Sequence, residues 1–157
     1  MFPDRLGQLS QQRPANAGQT NPTPPPVIQI LFDGGSRGNP GPGYGSYYLR
    51  FPDGRGETVR LDFGRQMTSN EAEYHTLLAA LEDLAERLQS KGQDLSAFTL
   101  EVGGDSALVI AQVRGNWKAR NPRMRALRDQ VWEWLGRFGG YRLTRVPREV
   151  VFRYLGH

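Results

Sequence analysis

Three acidic side chains in this 157-residue sequence stand where core elements meet loops, the setting from which hard-cation sites are built. Asp33 closes the apolar run Val27 to Phe32 and is followed by Gly34-Gly35-Ser36-Arg37-Gly38-Asn39-Pro40-Gly41-Pro42-Gly43, a backbone that turns tightly and carries little side-chain bulk. Glu73 lies in Thr68-Ser69-Asn70-Glu71-Ala72-Glu73, at the start of a helical pattern, and Asp105 follows the run Leu100 to Gly104. Each has an ordinary structural use as well. Asp33 could cap its own turn, Asp105 could N-cap the helix that follows, and Thr68 with Glu71 or Asn70 with Glu73 could each form a capping box. Spacing alone does not choose between the two glutamates.

Taken together the acids point to metal-assisted chemistry. Mg²⁺-type ions take a few carboxylates plus water and substrate phosphate, and two such ions about 4 Å apart can activate a water and stabilise the leaving oxygen of a phosphodiester. The chain has no cysteine, and neither His75 nor His157 stands in a triad pattern, so nucleophilic alternatives fall away. His75, two positions from Glu73, faces another side of the helix and reads as structural.

The elements that must position these acids are legible in the hydrophobic pattern. Val27 to Asp33 reads as a buried strand, and Gly45 to Phe51 and Glu57 to Phe63 as strands joined through the turn-rich Pro52-Asp53-Gly54-Arg55-Gly56. Tyr74, Leu77, Leu78, Leu81, Ala85 and Leu88 recur at helical spacing and predict an amphipathic helix over 70–90. Ala97 to Gly103 reads as a strand running parallel to one of the hairpin sheet, Asp105 to Val113 as a short helix, Asn121 to Phe138 as a longer one, and Tyr141 to Val146 as the last strand. The order β-β-β-α-β-α-α-β makes an α/β protein of the α+β mixed kind: a five-stranded mixed sheet with helices packed on it.

Composition bounds the rest. Residues 1–26, rich in Gln, Asn, Pro, Gly and Thr, read as a disordered tail, leaving 27–157 as one domain. The absence of cysteine suits a reducing compartment, and no run is apolar enough for a signal peptide or a bilayer span, so the sequence reads as a soluble cytoplasmic protein with no membrane contact and no evident obligate protein partner. Residues 114–157 carry 11 Lys/Arg against 3 Asp/Glu, whereas residues 1–113 carry 9 against 13. Nearly all the cations are arginine, whose planar fork suits phosphate. A basic half beside an acidic cluster suits a polyanion held near bound cations.

Five motifs in order then resemble type 1 ribonuclease H: Asp33 to Gly41 after a strand, Thr68 to Tyr74, Gly104-Asp105-Ser106, Gly115-Asn116-Trp117-Lys118 and Val146-Pro147-Arg148-Glu149. The resemblance implies a ribonuclease H-like mixed sheet and cleavage of the RNA strand of RNA–DNA hybrids, leaving 5′-phosphate and 3′-hydroxyl ends, with Mg²⁺ or Mn²⁺ as cofactor and two ions engaged with substrate. It makes Asp33, Glu73 and Asp105 the metal-binding, catalytic carboxylates and Glu71 the cap. It sets Gly34, Gly35, Ser36, Asn39, Ser69 and Asn70 against the hybrid's minor groove, where 2′-hydroxyls tell RNA from DNA. Trp117 and Lys118 fall where relatives hold the DNA strand, with core packing as the alternative for Trp117.

The sequence departs from the family in one place. The fourth carboxylate, expected on a C-terminal helix, aligns with Leu155, and residues 141–149 lack the histidine that relatives often carry. His157 as a metal ligand, a swung-in Glu149, or three carboxylates alone are the competing replacements; imidazole would suit Mn²⁺ better than Mg²⁺. Two rivals to a hybrid-cleaving enzyme follow: a hybrid- or duplex-binding module that lost turnover with the fourth acid, and a nuclease of the same fold that acts on DNA junctions.

Overall fold

A computed structural model describes residues 24–156. The expected tail, apart from residues 24–26, and His157 lie outside the described residues. The chain forms strands β1 (Val27–Ser36), β2 (Gly41–Arg50) and β3 (Gly56–Met67), helix α1 (Ser69–Ser90), a 3₁₀ turn (Leu95–Ala97), strand β4 (Thr99–Gly104), helices α2 (Ala107–Arg114) and α3 (Pro122–Leu135), strand β5 (Gly140–Arg145) and helix α4 (Arg148–Leu155). The sheet order is β3-β2-β1-β4-β5. The β1–β2 and β2–β3 pairs are antiparallel, and β4 and β5 join in parallel after their helical crossovers.

This is the expected mixed sheet with one helix more than the hydrophobic pattern gave. Helix α4 is short, its N-cap Pro147 offers no side-chain bond, and its Val150-Val151-Phe152 segment is not helix-favouring. Packing holds it. Val151 and Leu155 are fully buried with Leu31 and Val146 on the sheet face opposite α1, and Tyr154 lies against Tyr48 with ring centroids 5.1 Å apart. The strands also run longer than expected: β2 starts at Gly41 and β3 continues to Met67, paired across an irregularity between Pro42 and Tyr44.

The main core lies on the other face. Ile28, Ile30 and Phe32 of β1 alternate inward to meet Tyr74, Leu77, Leu81 and Leu84 of α1, with Leu100 and Val102 of β4 and Leu127, Val131 and Leu135 of α3 completing it. Gly34 and Gly45, paired across β1 and β2, let α1 press onto the sheet. A Cβ on Gly34 would stand 2.6 Å from the Ala72 carbonyl oxygen and 2.8 Å from the Glu73 nitrogen, and one on Gly45 would collide with the Thr76 hydroxyl. This close approach brings Glu73 beside the end of β1.

Candidate metal centre and nucleic-acid groove

The capping ambiguity at α1 resolves in favour of Thr68. The Glu71 amide donates to Thr68 Oγ1 at 3.1 Å and the Thr68 amide donates to Glu71 Oε1 at 3.0 Å, a reciprocal capping box. Glu71 is thereby committed and Glu73 turns inward. The same holds at α2, where Ser106, not Asp105, is the N-cap, its Oγ accepting from the Val109 amide at 3.3 Å. Neither acid is needed to finish a helix.

Asp33 near the end of β1, Glu73 in the second turn of α1 and Asp105 just past β4 converge, each offering an oxygen within 4.8 Å of the others. Asp33 is 5% exposed and Glu73 7% exposed. Burial first, then the charges of Asp33 and Asp105, push the Glu73 carboxyl well above its ordinary 4.5, against the opposing bond from the Gly34 amide. Glu73 Oε2 is buried and has no hydrogen-bond partner among the described residues. Close carboxylates repel, and an orphaned buried oxygen loses its hydration; a divalent cation would answer both. All three donors are hard oxygens, so the set fits Mg²⁺ or Mn²⁺.

Arg148, at the start of α4, supplies the positive charge that faces this cluster. Its Nη1 donates to Asp33 Oδ2 at 3.1 Å and to Asp105 Oδ2 at 3.2 Å, while its side chain remains 56% exposed. Sequence reasoning gave Arg148 no role, although it lies within a quoted motif. The missing information was strand adjacency: β5 pairs with β4 up to Gly104↔Arg145, and the Val146 amide continues to the Gly104 carbonyl at 2.9 Å, so the residues after β5 must pass Asp105.

The position expected for the fourth acid and the two side chains offered in its place stand as follows. Leu155 is 0% exposed inside the apolar cluster under α4. Glu149 is exposed and stands outside the acid cluster, which among the described residues is Asp33, Glu73 and Asp105 alone. In this arrangement Glu149, in the first turn of α4, does not join the acids. His157 falls outside the described residues. His75 lies tilted against Phe63 with ring centroids 5.9 Å apart and meets Arg65 Nη2 at 3.2 Å, and it is not in the acid cluster.

The predicted groove residues gather next to the acids. The Ser69 amide donates to Asn39 Oδ1 at 3.1 Å, and the Ser36 and Ser69 hydroxyls lie 3.2 Å apart, which ties the turn after β1 to the start of α1. Gly34, Gly35 and Ser36 end β1, and Asn70 follows Ser69 in α1. Asn39, Asn70 and Lys118 line a groove of about 490 Å³ with Gln112, Arg120 and Arg123. Arg120 and Arg123 had no individual assignment in the sequence. Trp117 is 51% exposed, which rules out core packing as its role.

A five-stranded mixed sheet in this order, with acids at the ends of its two central strands and in the first turns of the helix between them, defines the ribonuclease H-like class. Residues 31–151 match the family described as reverse transcriptase-like. The chain is 37% identical over 121 residues to ribonuclease HI of Halobacterium salinarum, covering 77% of this chain and 57% of that protein. It is 34% identical over 122 residues to a bifunctional protein of Mycobacterium tuberculosis, covering 77% and 31%. The chain thus spans little more than half, or less, of these relatives. The crystal structure of the Halobacterium salinarum RNase H1 superposes with a TM-score of 0.67 at 35% identity over 82% of this chain and 91% of that one. An RNase H1 named LC11, solved in complex with an RNA/DNA hybrid, superposes with a TM-score of 0.71 at 29% identity over 81% and 90%. The chain belongs to the type 1 ribonuclease H family.

Proposed function

We propose that this protein is a divalent-metal-dependent endonuclease that hydrolyses the RNA strand of RNA–DNA hybrids, with residues 27–157 as the working domain. The observation that carries the reading is the buried Glu73 Oε2, without a hydrogen-bond partner among the described residues, held close to Asp33 and Asp105. Asp33, Glu73 and Asp105 would hold the ions, two with substrate bound. When bound, such ions supply Lewis-acid stabilisation of the phosphate and a water acidic enough to attack at neutral pH.

The chain's own groups do the remaining work. Arg148 balances Asp33 and Asp105 while its side chain stays 56% exposed, so it can present a fork to a phosphate oxygen beside the acids. Ser36, Asn39 and Ser69 form one bonded ledge, with Asn70 next to it in α1, that would read 2′-hydroxyls across the minor groove. Trp117 offers an exposed ring and Lys118 a point charge to the DNA strand. A binding module without turnover gains nothing from three carboxylates facing phosphate, so the catalytic reading is the stronger.

The test is strand-specific cleavage. A hybrid with either strand labelled, incubated with Mg²⁺ or Mn²⁺, should lose its RNA strand only, and Asp33→Asn or Asp105→Asn should abolish the loss. Intact RNA under both metals would sink the enzyme reading, and cleavage of all-DNA duplexes or junctions would replace the substrate.

A further inference from the structure

We infer that Gln112 is a positioning residue: with Tyr74 it forms a buried polar strut from the core to the backbone of Lys118, setting how high the Trp117–Lys118 segment stands over the groove. This rests on the hybrid-binding reading above.

The inward face of α2 is otherwise apolar, with Val109, Ile110 and Val113 buried, yet Gln112 is 6% exposed on that face. A side-chain amide at that depth is unfavourable unless both ends are bonded, and a leucine or methionine would fill the space without that demand. Both ends are bonded. Tyr74, fully buried in α1, donates its hydroxyl to Gln112 Oε1 at 2.7 Å, and Gln112 Nε2 donates to the Lys118 carbonyl oxygen at 3.4 Å. The acceptor is used by the tyrosine, which leaves the NH₂ group to face the loop.

The loop needs such a tie at this point. After α2 ends at Gly115 in the left-handed conformation, the Asn116 and Trp117 amides share the Ala111 carbonyl at 2.9 and 3.2 Å. At the other end Arg125 of α3 donates to the carbonyls of Ala119 and Arg120 at 3.1 and 3.3 Å. Lys118 lies between these two anchors. Among the described residues, Gln112 is the side chain that bonds its backbone. Tyr74 is also the neighbour in sequence of Glu73, so one helix carries a candidate metal ligand and, next to it, the foot of the strut. The strut thus fixes the distance between the acids and the phosphate-holding cation through a path of two hydrogen bonds.

The experiment is a double-mutant cycle on the full chain, using hybrid cleavage from 50 to 200 mM salt, with thermal melts alongside. Gln112→Met, apolar and of similar length, should raise KM about fivefold, the effect of removing one hydrogen bond, with kcat within about twofold. It should also lower the slope of log KM against log salt by about one, as expected when one phosphate is no longer neutralised. Lys118→Ala should give the same change of slope, and the double variant should be no worse than Lys118→Ala alone. Gln112→Glu keeps an acceptor for Tyr74 but removes the donor to Lys118, so it should behave like Gln112→Met. Tyr74→Phe, which frees the amide without removing it, should shift KM in the same direction by less. A lowered Tm with unchanged KM and unchanged salt slope in Gln112→Met and Gln112→Glu would make Gln112 a packing residue and overturn the inference. Effects that add to those of Lys118→Ala would also overturn it. A wild-type chain that leaves hybrids intact would instead overturn the functional reading, and this inference with it.

Discussion

Replacing Leu155 with aspartate would put an acid where the ribonuclease H resemblance implies a fourth carboxylate, and the structure says that it should damage the protein rather than improve it. Leu155 is 0% exposed among Leu31, Val146 and Val151. Truncating a leucine in such a place costs about 2–5 kcal/mol, and an unpaired carboxyl adds a burial cost of roughly 1–3 kcal/mol even when it takes up a proton. Against a typical domain stability of about 5–15 kcal/mol, the sum is a large fraction of the whole. Helix α4 has eight residues, too few to hold itself together, so its attachment to the sheet fails first. Its first residue is Arg148, which would then leave Asp33 and Asp105. At about 3 °C per kcal/mol, Leu155→Ala should lower Tm by roughly 10 °C and Leu155→Asp by more, while Leu155→Met stays close to wild type. Thermal melts and hybrid cleavage, run together, decide the point. A Leu155→Asp variant with wild-type Tm and higher activity would show that position 155 faces the metals, and the account of α4 would be wrong.

Other perturbations probe the acids and their setting. The Glu73 carboxyl is raised above its ordinary 4.5 by burial and by Asp33 and Asp105, so the folded state holds that proton longer than the unfolded state. Stability of the metal-free protein is therefore lost as pH rises from about 4.5 through the raised value, and Glu73→Gln should raise the metal-free Tm at neutral pH, with the gain fading as pH falls toward 4.5. Arg148→Ala should lower the metal-free Tm, enlarge the Tm gain on adding Mg²⁺ or Mn²⁺, and reduce kcat, because the acids then rely on the ions alone; an unchanged metal-induced gain would separate Arg148 from the cluster. Thr68→Ala removes one half of the capping box and should cost about 1 kcal/mol in chemical denaturation, with a rise in KM as the Ser69–Asn70 ledge loosens.

Much of this architecture was legible because local pattern and global fold agree. The apolar run ending in Asp33, the 3.6-residue repeat of α1 and the run before Asp105 each placed an acid at an element end before any tertiary information entered. Their convergence was not legible from spacing alone, since it depends on β4 pairing with β1 rather than with an edge strand. The glutamate ambiguity shows the limit well. Two capping boxes were possible by spacing, and only the bonds of Thr68 with Glu71 decide between them. Helix α4 was legible only through the resemblance, and Arg148 had no role, for a related reason: a short, valine-rich segment after a proline carries no helical signature of its own, and both owe their positions to packing and bonding with β1, β2 and Asp105. The early part of β2 was missed because Gly41-Pro42-Gly43 disfavours strand, yet pairing to Gln66 and Met67 imposes it.

The most direct test of the central claim is the fate of the RNA strand when a hybrid meets the wild-type chain with Mg²⁺, with Mn²⁺ and with a chelator, read by product-end analysis. RNA fragments with 5′-phosphate and 3′-hydroxyl ends in either metal, none with the chelator and none from Asp33→Asn, are the predicted result. Full-length RNA in both metals, or fragments that persist with the chelator, would contradict it.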